Sequence, residues 1–437
     1  MNPILRLIYQ SLKLLVRACF RLYYRRTIIN RSGLHFNRPA ILVSNHPNTL
    51  MDPLNAAEQV PMIVHFLANA GLFKSRLGNW FFNTFFCIPI ERPEDTEGKP
   101  LNNRESFARC DAFLGQGGCL YIAPEGYSFV ERRLRPLKTG TARIALSAEN
   151  AKAFELGLCI VPVGLSYEAP QRFGSRVLIN VGEPIWAKDY REAYESGSFM
   201  APKMLTADLA ERLQALIIDT RDDAEGLLVS RLEQLLRNSR PVPEALHFSR
   251  TKALIERLRE WHSDRPEQYQ AFAEEVAKYF EQLHALRTSD AALARPPRPL
   301  ALHLAGLVLF FPLYLYGLTN NFLPAYIPLL LTRKLKLYTG YDSTVKILSG
   351  LITFPLFYFL QTRLVYGLYD GHTALLYLIS LLPAGLFAWH FRRHQGRVLD
   401  YLRLRRHKKQ AAALRELREE AWSAGLADEH DSTSDPY

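Results

Sequence analysis

Residues 44–53 read SNHPNTLMDP and follow the apolar run AILV at 40–43. They contain one imidazole and one carboxylate, His46 and Asp52. A carboxylate that accepts a hydrogen bond from one ring nitrogen fixes the tautomer and stabilises the imidazolium. The other nitrogen is then available as a general base. The spacing sets a condition on this chemistry. On one helix, positions six apart are separated by about 240°, so the two side chains share no helical face. They meet only if the chain turns at residues 47–49 before a helix carries Asp52 back. Without that turn His46 is an ordinary structural histidine, and the segment alone leaves both readings open.

The elements that must position such a pair are legible around it. Between residues 39 and 190, apolar runs at 40–43, 85–90, 119–123, 158–165 and 177–181 read as buried strands. Helical spacing at 104–115 and 139–154 separates some of them. This alternation implies an α/β domain with a largely parallel sheet, in which function gathers at the C-terminal strand ends. NHPNTLMDP, ERPED and PEGYS each follow an expected strand. Arg92 ends one strand and suits a phosphate. Glu125 and Gly126 follow another, with the glycine permitting close backbone approach or a positive φ. Arg132, Arg133, Arg135 and Lys138 come next; most such cations simply face water.

Four stretches in order now resemble the PlsC-like glycerolipid acyltransferases, the lysophosphatidate and glycerol-3-phosphate acyltransferases. The stretches are NHPNTLMD, FFCIPIER, APEGYSF and IVPVGLS, and the likeness covers roughly residues 30–190. The family's blocks are N-H-x-x-x-x-D, G-x-(I/V)-x-x-x-R, F-P-E-G-T-R-S and V-P-V. This chain departs from them twice. Its His–Asp interval is one residue longer, as in a longer-spaced branch similar to eukaryotic glycerol-3-phosphate and dihydroxyacetone-phosphate acyltransferases. Its third block keeps Pro124, Glu125, Gly126 and Ser128 but has Tyr127 before Ser128, with no arginine after the glycine. The resemblance implies His46 as general base, Asp52 as its partner and Arg92 as the phosphate contact, aided by Lys138 or Arg132. Glu125, Gly126 and Ser128 would shape the acceptor site, and Pro162 and its neighbours would line the acyl-chain approach. Arg132, Arg133 and Lys138 are further candidate phosphate or CoA contacts. An acyl thioester is already activated, so no metal, cofactor or enzyme nucleophile is required beyond acyl-CoA or an acyl carrier protein as co-substrate.

The remaining chain concerns the membrane. The 437 residues carry 54 Lys+Arg against 43 Asp+Glu, a formal charge of +11 that favours a polyanionic partner. Nucleic acid is disfavoured, because no aromatic-lined basic groove is legible and the basic clusters flank apolar segments. In residues 3–30, Arg6, Lys13, Arg17 and Arg21 fall within an arc of about 80° on an otherwise apolar helix. That pattern predicts a helix in the headgroup layer, or else a core helix whose basic stripe faces water. Residues 204–290 show the spacing of soluble amphipathic helices: Leu254, Ile255, Leu258 and Trp261, then Phe272, Val276, Tyr279, Phe280, Leu283 and Leu286. ARPPRP at 294–299 reads as a linker. No charge occurs from 300 to 332, and further apolar runs follow Lys346 and occupy 374–390. The first run is one long helix or a hairpin turning at TNN; the others pair as a hairpin. Basic clusters at 333–336 and 392–397 assign their ends to the cytoplasm. The basic tail segment RLRRHKKQ reads as a solvated, fraying helix, or one touching headgroups. The five cysteines, without CxxC spacing, read as buried reduced thiols.

The expected organisation is an interface helix at 1–30, an α/β acyltransferase domain at 31–200, amphipathic helices at 201–298, transmembrane hairpins at 299–392 and a charged tail at 393–437. The expected activity is transfer of a fatty acyl group from a thioester to a glycerol-3-phosphate or lysophosphatidate hydroxyl, at the cytoplasmic face of an inner membrane or endoplasmic reticulum. The alternatives are lysophospholipid reacylation, which the missing arginine favours, or a lipid-binding scaffold whose site has decayed.

Overall fold

The structure, a computed structural model, describes residues 3–92, 103–197, 199–239 and 241–425. Residues 93–95 of the ERPED stretch and the acidic end beyond Gly425 lie outside them. The chain divides into two compact units, Met1–Asp219 with Leu337–Thr344, and Thr220–Lys336 with Val345–Tyr437.

The first unit is built on a sheet of strands β1 Arg25–Ile29, β2 Ala40–Ser44, β3 Val64–Asn69, β4 Cys87–Ile90, β5 Cys119–Ile122, β6 Cys159–Tyr167, β7 Arg176–Val181 and β8 Ile185–Trp186. Their order is β1-β7-β6-β2-β5-β3-β4, with β8 against β6. β2 to β6 are mutually parallel, while β7 and β8 run antiparallel to β6. The expected α/β class with a largely parallel sheet is therefore the observed one. Helices α1 Pro3–Tyr23, α2 Met51–Ala57, α3 Arg76–Thr84, α4 Arg104–Gly115, α5 Gly140–Asn150, α6 Arg191–Ser196 and α7 Met200–Leu216 complete the unit. One core joins Ile41, Val43, Leu120 and Ile160 of the sheet to Leu114 of α4, Ile144 of α5 and Leu205, Leu209 and Leu213 of α7. The apolar stripe of α7 fills this core, so the unit continues past residue 200.

The first helix differs from expectation in extent and facing. It ends at Tyr23, and Arg25–Ile29 pair with β7 as a strand, as the β-branched run Thr27–Ile28–Ile29 favours. The basic stripe is not all outward. Arg17 pairs with the buried carboxylate of Glu58, which also takes Arg26 at 2.8 Å, and Lys13 donates to the Val60 carbonyl. A buried carboxylate needs such partners, and they rotate the helix so that Ile4, Leu7 and Leu14 stand exposed.

The second unit contains helices α8 Asp223–Ser239, α9 Glu244–Asp264, α10 Pro266–Ala285, α11 Asp290–Ala294, α12 Leu300–Leu309, α13 Phe311–Leu335, α14 Asp342–Leu368 (from Val345 onward), α15 Gly371–Arg406 and α16 Lys408–Gly425. Leu254, Ile255 and Leu258 of α9 and Phe272, Val276, Tyr279 and Leu283 of α10 are buried, as their spacing predicts. The helices α14 and α15 are long and apolar enough to cross a membrane, and α12 with α13 counts as a third span if read as one helix bent by 52°. No turn forms at TNN. Thr319, Asn320 and Asn321 instead donate to the carbonyls of Leu315, Tyr316 and Gly317 one turn back, so α13 runs through them. The tail is also packed rather than frayed: Ala411, Leu414 and Ala421 of α16 are buried, and Arg418 donates to buried Asp290 at 2.8 Å.

Candidate active site

The first three motifs place residues at the C-terminal ends of parallel strands of the first unit, and the fourth is a strand of the same sheet. His46 follows β2, the middle strand in the sheet order; Arg92 follows β4; residues 124–128 follow β5; the fourth motif forms β6. The turn that the His–Asp spacing demands is present. Thr49 adopts φ +41°, α2 starts at Met51, and Asp52 lies in its first turn, where the helix dipole favours a carboxylate. Pro53 falls in the same turn, where a missing N–H costs nothing.

This geometry closes the pair. His46 Nδ1 lies 3.0 Å from Asp52 Oδ2. The carboxylate is fully buried and takes two more donors: the Asn48 N–H at 2.6 Å on Oδ2 and the Tyr167 hydroxyl at 2.9 Å on Oδ1. Burial pushes the Asp52 carboxyl above the usual carboxylate range, and the hydrogen bonds from His46, Asn48 and Tyr167 oppose it. With Nδ1 committed to Asp52, the remaining ring nitrogen is Nε2, and the mostly buried imidazole keeps 15% side-chain exposure. Tyr167 in turn accepts from the Asn55 amide at 3.0 Å.

The third motif holds the first in place through its backbone, and the fourth holds it through the Asn45 side chain. Glu125 Oε1 accepts the His46 N–H at 2.7 Å and Oε2 accepts the Arg135 N–H at 3.2 Å. Burial raises the Glu125 carboxyl to about 7. Ser128 Oγ accepts the Thr49 N–H at 2.9 Å, and the Phe129 N–H donates to the His46 carbonyl at 3.2 Å. Asn45 exchanges two hydrogen bonds with the Leu165 backbone, at 2.8 and 2.9 Å, tying the end of β2 to β6. Glu125 and Ser128 thus contact the histidine segment directly.

Tyr127 gathers the cations. The Arg92 guanidinium lies over its ring at 4.9 Å and the Lys138 ammonium at 5.0 Å. Gly126 adjoins them at φ +81°, and a Cβ there would come within 3.0 Å of the Lys138 side chain. Arg133 and Arg135 pair with Glu131, both at 2.6 Å. Pro162 is a buried residue of β6 in register with Val43, and its carbonyl accepts the Gly182 N–H at 2.9 Å.

Sequence reasoning singled out His46, Asp52, Glu125 and Ser128, which the fold joins, and Arg92 and Lys138, which meet on Tyr127. It missed Tyr167, Asn45 and Asn48. Asn45 and Asn48 lie inside the quoted motif, and Tyr167 stands one residue past the fourth, but their partners are up to 295 residues away in the chain.

A model of the acyltransferase family matches residues 25–166. Glycerol-3-phosphate O-acyltransferase 2 of Saccharomyces cerevisiae is 29% identical over 158 residues, covering 34% of this chain and 21% of the yeast protein. Glycerol-3-phosphate O-acyltransferase 1 of the same yeast is 32% identical over 126 residues, covering 28% of this chain and 16% of that protein. The chain therefore matches about a fifth of the length of these relatives. The crystal structure of the 1-acyl-sn-glycerophosphate acyltransferase PlsC from Thermotoga maritima superposes with a TM-score of 0.35 at 17% identity, over 48% of this chain and 80% of that one. The span matched by the family model, residues 25–166, holds all four motifs in order, so this part of the chain is an acyltransferase-family segment.

Proposed function

We propose that this protein transfers a fatty acyl group from an acyl thioester to a hydroxyl of glycerol 3-phosphate or a lysophosphatidate. The observation that carries the reading is the His46–Asp52 pair at the end of β2, with Nδ1 occupied by the carboxylate and Nε2 left for substrate. His46 Nε2 takes the proton as the acceptor oxygen attacks the thioester carbonyl. Asp52 stabilises the imidazolium while the tetrahedral intermediate stands. Collapse expels the thiolate, which recovers the proton from His46. A general base of this kind contributes about 10²–10⁴ in rate. A cysteine nucleophile has no support, since burial pushes the Cys87 and Cys159 thiols up to about 11.

Arg92 and Lys138, converging on Tyr127, bind the acceptor phosphate and replace the arginine that the third motif lacks. The yeast relatives are named for glycerol 3-phosphate, which favours that acceptor. Products of this reaction partition into lipid, which suits α14, α15 and the exposed apolar face of α1. The basic clusters beside the apolar helices favour catalysis at the cytoplasmic face. Acyl-CoA and acyl carrier protein both supply the thioester this chemistry needs.

The test uses membranes carrying the wild type or His46→Ala. Labelled acyl-CoA and acyl carrier protein are each offered with glycerol 3-phosphate, lysophosphatidate and lysophosphatidylcholine separately. Acylation of a phosphate acceptor, lost at least a hundredfold in His46→Ala, is expected. Failure of every donor–acceptor pair would overturn the reading, and acylation of lysophosphatidylcholine alone would move it to phospholipid reacylation.

A further inference from the structure

Asp52 faces His46 only while residues 47–50 keep their turn, and that turn is not self-supporting. Thr49 is β-branched yet sits at φ +41°, a region that such side chains rarely enter. Asn48 and Thr49 are almost fully buried, at 1% and 6% exposure, so their polar groups need protein partners. Their backbone N–H groups go to Asp52 and Ser128, as described above. Their side chains end largely on a distant stretch of the first unit, Leu337–Thr344, which links α13 to α14 in the chain.

Three hydrogen bonds make this connection. The Ser343 hydroxyl, fully buried, donates to Asn48 Oδ1 at 2.6 Å. Thr49 Oγ1 donates to the Gly340 carbonyl at 3.0 Å and lies 3.1 Å from Thr344 Oγ1. The other end of the Asn48 amide donates to Tyr24 at 2.9 Å, so both ends of the side chain are fixed. The same stretch reaches the residue just past the third motif, where the Tyr338 hydroxyl accepts the Val130 N–H at 2.5 Å. Gly340 packs against the turn itself: a Cβ there would lie 3.4 Å from Thr49 Cγ2. These contacts of the stretch fall on residues within the His–Asp interval or on Val130, two positions past Ser128. None falls on the imidazole or the carboxylate.

We propose that Leu337–Thr344 is a positioning element for acyl transfer: through Ser343, Thr344 and Gly340 it fixes Asn48 and Thr49, and with them the His46–Asp52 geometry. The inference rests on the acyltransferase reading of the same site. Its consequence is that the connection between two apolar helices, together with the first turn of the second, takes part in holding the catalytic turn. A positioning role differs from packing in what it changes. Loosening the turn displaces the base relative to the bound acceptor, and a displacement of about 1 Å can cost ~10²-fold in rate. Substrate binding through Arg92 and Lys138 is untouched.

The experiment compares full-length wild type, Ser343→Ala, Thr344→Val, the double variant and Thr344→Ser in membranes, measuring kcat and both KM values. The double variant is expected to lose about 30-fold or more in kcat with each KM within about threefold, and Thr344→Ser to keep wild-type kcat. If the double variant does not accumulate, Thr344→Val alone carries the test through a fall of about fivefold in kcat against wild-type Thr344→Ser. A kcat within twofold of wild type, or a loss confined to KM, overturns the proposal. His46→Ala is assayed alongside. Activity in the wild type that is lost in His46→Ala, together with unaffected loop variants, refutes the positioning role alone. No transfer by the wild type refutes the reading beneath it.

Discussion

The Asp52→Asn substitution tests the proposed chemistry most directly, because the site can absorb the amide with a reversal of only the Tyr167 hydrogen bond. An asparagine oxygen at the Oδ2 position still accepts from His46 Nδ1 and from the Asn48 N–H. Its NH2 group then faces the Tyr167 hydroxyl, which can rotate to accept. What disappears is the negative charge 3.0 Å from the imidazole. At that separation and an effective dielectric of about 20, attraction to an imidazolium is worth at most ~5 kcal/mol. It acts only once His46 is protonated, so it bears on the transition state more than on the ground state. Allowing for partial charge transfer, kcat should fall by about 10³-fold, since ~1.4 kcal/mol is tenfold, with the acceptor KM unchanged within about threefold. The assay is steady-state acyl transfer by purified protein, with His46→Ala and the double variant beside it. The double variant should be no slower than His46→Ala alone, because Asp52 acts through the imidazole. More than a tenth of wild-type kcat in Asp52→Asn would refute the pair as the catalytic unit. Additive losses in the double variant would show that Asp52 works on something other than His46.

Three further outcomes are expected. Tyr167→Phe strips Asp52 Oδ1 of its donor and the Asn55 amide of its acceptor; it should cost about 1–3 kcal/mol of stability in thermal or denaturant unfolding and about tenfold in kcat, and unchanged values for both would dissolve its link to Asp52. Arg92→Ala and Lys138→Ala should each raise the KM of a phosphate-bearing acceptor by about tenfold or more while leaving the acyl-donor KM in place, and the opposite pattern in substrate kinetics would move the cations to the donor site. Glu125 holds its proton to about pH 7 in the fold against an ordinary 4.5; the unfolded chain ionises first, so this group lowers stability by up to about 3 kcal/mol as pH rises from 4.5 to 7, with no effect below that window and a constant one above it. Glu125→Gln removes that slope, so the difference between wild-type and variant melting curves should change across pH 5–8, and a flat difference contradicts the buried-acid assignment.

How far the chain could be read tracks the range of the forces involved. Strands β2, β4, β5, β6 and β7 and helices α4 and α5 were legible because each carries its own local pattern of apolar runs or helical spacing. Strands β1 and β3 were not. Arg25 and Arg26 prolong the basic rhythm of α1 into β1, and His65 with Asn69 makes β3 look polar. The facing of α1 was unreadable for a different reason: it is decided by Glu58, over 40 residues from Arg17, and nothing local marks Glu58 as a buried carboxylate. The TNN stretch left a long helix and a hairpin both open, because breakers in water become stable helix residues when their side chains bond the carbonyls one turn back.

The one-residue lengthening of the His–Asp interval shows the same limit at the site itself. In isolation it left the pair undecided, since positions six apart lie about 240° round a continuing helix and share no face. The chain does not continue as a helix there. It places the irregularity at Thr49, in a left-handed conformation, and starts α2 only at Met51, so that Asp52 faces back toward His46. A left-handed, β-branched residue costs on the order of 1–3 kcal/mol and persists only where its surroundings over-determine it. Here they do: Ser128 takes its N–H, and Gly340 and Thr344 take its hydroxyl. The spacing is therefore not a property of the motif alone. It is compatible with catalysis because residues 79 and 291 or more positions away supply the partners that the turn requires, and a segment excised from them would be expected to lose the pair before it lost the strand that leads into it.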